Sequence, residues 1–161
     1  MAAAPDLRTR NDIRVEFSVE DLRVFRGGKT NQPYAIVGHN PYSGLLTDAW
    51  VGGFDTEQEF RAVLEFIIEQ FETGGYSYWL VDLRHLNTGF FHSDTWLAET
   101  AFPKAIEAGL VREAVVLPPY RGAPPDYDVF GSASAALRKI TDGRVRGFTD
   151  IAEARKWLFG A

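Results

Sequence analysis

Most of the residues able to do chemistry follow three apolar runs. Asp82, Arg84 and His85 follow the first, Tyr120 and Arg121 the second, and Thr149 and Asp150 the third. In an open α/β sheet, ligands bind beyond the carboxyl ends of the strands, near a switch in strand order. If the runs are parallel neighbours, these residues gather at one edge. Asp82 then pairs with Arg84 or Arg121, as part of a binding surface or as an ordinary structural ion pair.

His85, His92 and Asp94 are potential metal ligands, but the spacing His-x6-His-x-Asp matches no zinc pattern. No metal and no cofactor are therefore expected. Ser93 has no Gly-x-Ser-x-Gly elbow around it, so a Ser–His–Asp triad lacks its frame. Gly27-Gly28-Lys29-Thr30 lacks the upstream glycine of a phosphate loop, because position 23 is Arg. It also leads through Gln32-Pro33 into a strand-like run rather than a helix. Phe90, Phe91, Trp96 and Phe102 cluster around one loop, and Tyr120 and Tyr127 flank a proline-rich one. These aromatics belong either to an ordinary core or to a lid over an apolar pocket.

Composition narrows the classes. With 17 basic against 22 acidic residues the chain carries a net charge of −5, which argues against a nucleic-acid surface. Cysteine is absent, so disulfides, thiol nucleophiles and cysteine-ligated metals are excluded. No apolar run is long enough to span a membrane or serve as a secretory signal, which implies a cytoplasmic location and no transmembrane segment.

The elements that must position these residues follow from periodicity. Residues 1–12 read as a frayed polar leader, and Ile13, Val15 and Phe17 alternate with polar residues as in a half-buried strand. Residues 34–39 and 45–51 form a hairpin around Asn40–Gly44. Asp55-Thr56-Glu57-Gln58 predicts a capping box with Asp55 as cap, opening a helix whose apolar face runs from Phe60 to Phe71. Tyr76–Leu83 and Glu113–Leu117 hardly alternate, as expected of strands buried on both faces. Arg84–His92 reads as a loop, Ser93 as the N-cap of a second helix, and Pro103 as its break or kink. A third helix spans 129–140, a short strand 145–148, and a final helix follows Asp150. This order predicts a mixed α/β sheet, with a front antiparallel hairpin and parallel central strands, covered by helices. Residues 1–33 are a leader with an accessory strand, and 34–161 are the domain.

Leu80-Val81-Asp82-Leu83-Arg84, Ala114–Pro118 and Phe148–Leu158 resemble the SpoIIAA-like, STAS-type family over residues 34–159. The resemblance implies a non-enzymatic binding or regulatory module. Some members handle a lipid-like ligand, and others switch a protein partner. It also makes Ser93 the candidate phosphoacceptor, at the start of the helix after a central strand. The expected function is recognition of a protein partner, or of the chain itself, through Asp82, Arg84, His85, Phe91, Tyr120 and Arg121. The alternative is a carrier or sensor of a small apolar, lipid-like ligand. A small hydrolase built on Asp82, His85 or Ser93 comes third.

Overall fold

The computed structural model of the chain describes residues 12–160. The leader expected over residues 1–12 lies outside them except for Asp12. A six-stranded sheet runs in simple sequence order: β1 (Glu20–Arg26), β2 (Pro33–Asn40), β3 (Leu45–Gly52), β4 (Tyr78–Leu86), β5 (Arg112–Val116) and β6 (Val145–Phe148). β1, β2 and β3 pair antiparallel, and β3 to β6 pair parallel. The mixed sheet and its hairpin are as expected. So is the parallel alignment of β4 and β5, with Trp79 opposite Glu113 and Val81 opposite Val115.

A parallel array that always advances in one direction needs all its right-handed crossovers on one face. That face carries α2 (Glu57–Thr73), a helical segment over residues 94–107, and α5 (Val129–Lys139). Their apolar stripes meet Trp50, Trp79, Val81, Leu83 and Val115 in the larger core. The other face carries α1 (Ile13–Glu16) and α6 (Ile151–Phe159), which pack Ile13, Phe17 and Leu158 on Leu45, Leu80 and Val116. Because the strand order never reverses, the parallel strands contain no switch point. The crevice expected there is replaced by a cleft between the end of β4 and the loop after β5.

Five local readings are corrected. Residues 13–16 are helical, because Ile13 and Phe17 lie four apart on one buried face while Val15 is 85% exposed. The accessory strand is β1, farther along the chain, in the stretch whose pattern was ambiguous. The cap of α2 is Thr56, one residue later than expected. Its side chain accepts from the Glu59 amide, and Glu59 accepts in return from the Thr56 amide. Asp55 is drawn away because it accepts from the Lys29 amide at 3.3 Å, and Glu59 also accepts from Gly28 at 2.8 Å. The Gly27–Thr30 loop thus turns its amides onto two carboxylates of the chain itself.

Of the break or kink expected at Pro103, the break does not occur. The segment runs through α3 (Asp94–Trp96), a π turn (Leu97–Ala101) and α4 (Phe102–Glu107). The Phe102 amide donates to the Leu97 carbonyl, five residues back, so the helix widens just where proline withdraws an amide and its ring needs room. β4 also extends through Leu86, into residues that read as loop.

Thr56→Ala is expected to lower stability by about 1 kcal/mol in denaturant unfolding. Val15→Asp should change it by less than about 0.5 kcal/mol, since that side chain points into water.

Candidate functional site

At the carboxyl edge, β4 takes three steps, from Asp82 to His85, against two on β3, from Ala49 to Val51. This bulge frees the Arg84 amide to donate to the Asp82 carboxylate at 3.1 Å. Arg84 Nε and Nη2 reach the two Asp82 oxygens, both at 2.9 Å. Asp82 is 2% exposed, so this bidentate pair satisfies a buried carboxylate. Asp12, just ahead of α1, closes the far side of the guanidinium at 2.5 Å. Hydrogen bonding to Asp82, and then to Asp12, raises the Arg84 pKa and keeps the group charged. Asp82 pairs with Arg84 and not with Arg121.

Arg84, His85, Arg121, Tyr127, Asp128 and Phe130 line a cleft of about 230 Å³. Pro118 and Pro119 form part of its wall. Arg121 is exposed and His85 half-buried. Of the predicted site residues, Arg84, His85 and Arg121 therefore come together. Asp82 lies beneath Arg84, and Tyr120 stands beside the cleft, edge-on to Phe130 at 5.6 Å. Phe91 is not among the lining residues; it is half-buried near Gly131 on α5. Asp150 accepts from the Ala152 amide and caps α6.

Ser93 holds the position before α3, but its side chain makes no cap bond. The residue is fully buried, and its hydroxyl donates to Glu57 and accepts from Arg61 Nε at 3.1 Å. A phosphate there would have to displace the Glu57 carboxylate. Among the described residues no hydrogen bond links Ser93 to Asp82 or His85, and no group of three or more His, Asp or Glu is placed to hold a metal.

A second locus lies between the sheet and its helical layer. A cavity of about 60 Å³ is walled by apolar side chains and two acids, Asp48 on β3 and Glu113 on β5. Asp48 is 1% exposed and accepts an indole N–H on each oxygen, from Trp50 at 2.7 Å and Trp79 at 2.5 Å. Burial pushes its pKa up to about 7, against the lowering effect of the two indoles. Glu113 is 8% exposed, and burial, with the nearby Asp48 charge, pushes it up to about 8. No side-chain hydrogen bond satisfies Glu113 among the described residues. Phe90 and Phe102 are in the wall of this cavity, whereas Trp96 lies under the Arg61 guanidinium and Tyr127 lines the edge cleft. The predicted aromatic cluster is thus divided among three places.

Sequence reasoning passed over both acids. Asp48 had a readable signal, a lone charge within the apolar strand Leu-Leu-Thr-Asp-Ala-Trp-Val. Glu113 had none, because an acid at the start of a strand normally faces water.

Arg84→Ala is expected to destabilise the protein by about 3 kcal/mol, since it strands a buried carboxylate, and Arg84→Lys should recover only part of that. Chemical denaturation measures both. Asp48 and Glu113 both take up protons on folding. Their contribution is therefore complete below about pH 4, near the carboxyl pKa of the unfolded chain, and is lost as pH rises through about 7 and then about 8. Thermal melts from about pH 4 to about pH 9 should show Tm falling over that range, and Glu113→Gln should reduce the fall.

No protein-family model matches the chain, and no curated protein matches it in sequence.

Proposed function

We propose that the chain is a cytoplasmic, non-enzymatic binding or regulatory module of the STAS type that recognises a protein partner at the carboxyl-edge cleft. The observation that carries this reading is exposed Arg121 lining the cleft beside the Asp82–Arg84–Asp12 bracket. That bracket holds the Arg84 guanidinium rigidly at the cleft with its charge already met by two carboxylates, so Arg121, exposed on the loop after β5, is the cation left for a partner. The Arg121 charge beside apolar Phe130 suits an extended acidic segment, and the stiff Pro118-Pro119 wall limits the entropy lost on docking. A second copy of the chain, with its net charge of −5, could supply such a segment.

The second reading is a carrier or sensor of a small apolar ligand. The interior cavity between sheet and helices favours it. In this reading the polar edge cleft contributes nothing to ligand uptake.

Affinity capture should separate the first reading from its absence. A partner retained by the wild-type chain should be lost with Arg121→Ala or His85→Ala, at a nearly unchanged melting temperature. It should survive Tyr42→Ala, a change at a residue 99% exposed in the hairpin turn and outside the cleft. Equal capture by all four proteins would remove the cleft from consideration.

A further inference from the structure

The cavity between sheet and helices combines features that do not suit an inert core. It is lined by two acids and by no basic side chain. Asp48 has both oxygens committed to indoles, whereas Glu113, more than nine-tenths buried, lines the cavity with its carboxyl unpartnered among the described residues. An unpaired buried carboxyl costs free energy, so its retention calls for a partner that the protein itself does not supply. The other walls include the rings of Trp50, Phe60, Trp79, Phe90 and Phe102, whose faces attract cations. Leu97 and Ala101, the two ends of the π turn, also border the space, and such turns recur at functional sites. Leu97, Leu137, Ile140 and Val145 are only half-buried, so the cavity is nearest to solvent along the π turn, the last turn of α5 and the start of β6.

We propose that this cavity is a binding site for a small organic cation, an alkylammonium whose charge is taken by Glu113 and Asp48 and whose alkyl part lies among the aromatic rings. The inference rests on the second reading above, that the cavity takes up a ligand. At about 60 Å³ it has room for roughly four to six non-hydrogen atoms, counting 10–15 Å³ for each water-sized group. A neutral apolar molecule of that size would leave Glu113 unsatisfied. An anion would meet two acids. An ammonium supplies three N–H donors and the missing positive charge. No covalent bond changes on binding. The ammonium enters already charged, the Glu113 carboxyl releases its proton to solvent, and an N–H···O⁻ bond forms in its place.

The test is calorimetric titration of the full chain at about pH 6.5, where an alkylamine is fully protonated, with isobutylamine and its neutral analogue isobutanol. Each is run in two buffers of different ionisation enthalpy, and the indole N–H signals of Trp50 and Trp79 are followed by NMR. The amine is expected to bind at least tenfold more tightly than the alcohol, to release close to one proton per molecule bound, and to shift both indole signals. Glu113→Gln should abolish that preference and the proton release. Asp48→Asn should weaken amine binding while leaving the alcohol unaffected. Binding of the alcohol alone, or equal binding of both, would overturn the cation assignment while leaving the cavity as an apolar-ligand site. If neither compound binds and neither indole moves, ordered water satisfies Glu113, and both the inference and the second reading fall.

Discussion

Parallel pairing of β4 between β3 and β5 is the constraint from which the rest of the structure follows. It sends the chain out of β4 and β5 at the same edge, which is why Arg84 and His85 meet Arg121 across one cleft. Because each right-handed crossover advances the sheet in the same direction, the connecting helices share one face. The remaining face is left to two short elements, α1 and α6. The same alignment brings Asp48 and Glu113 to the walls of a single cavity, on the two strands that flank β4.

The buried carboxyl groups of this sheet meet three different fates. Asp82 is neutralised by an arginine fixed by a bulge two residues away. Asp48 has no cation but two aromatic N–H donors, which satisfy its lone pairs without cancelling its charge. Glu113 has neither. Burial outweighs the indole bonds at Asp48, so desolvation is the larger effect on the helix-covered face, while direct ion pairing governs the edge. The two loci therefore differ in chemistry as well as position: the cleft has paired charges and polar walls, the cavity two acids among apolar walls.

The sheet from β2 to β6, its hairpin, α2, α5 and the final helix were legible because each rests on a local period. The stretch 60–71 repeats at three and four residues, and Tyr76–Leu83 lacks polar alternation because helices cover one face and α1 and α6 the other. The readings that failed share a cause. Over five residues, Ile13–Phe17 fits a strand period and a helical i, i+4 pair equally well, and only packing on Leu45 and Leu80 selects the helix. Asp55 and Thr56 are both good caps, and the choice passed to the Lys29 amide, twenty-six residues away. At Pro103 the missing amide was readable, but the alternative hydrogen bond from Phe102 to Leu97 was not.

Composition and order alone determined the fold class, the edge that gathers Arg84, His85 and Arg121, and the exclusion of cysteine chemistry, since these depend on residue type and on period along the chain. Tertiary structure alone decided that Asp82 is held by Arg84 rather than Arg121, that Ser93 is locked between Glu57 and Arg61, and that Asp48 and Glu113 share an apolar cavity. Those outcomes depend on side chains far apart in sequence being desolvated together. No local pattern encodes that, because the cost of burying a charge is set by whatever the fold places around it.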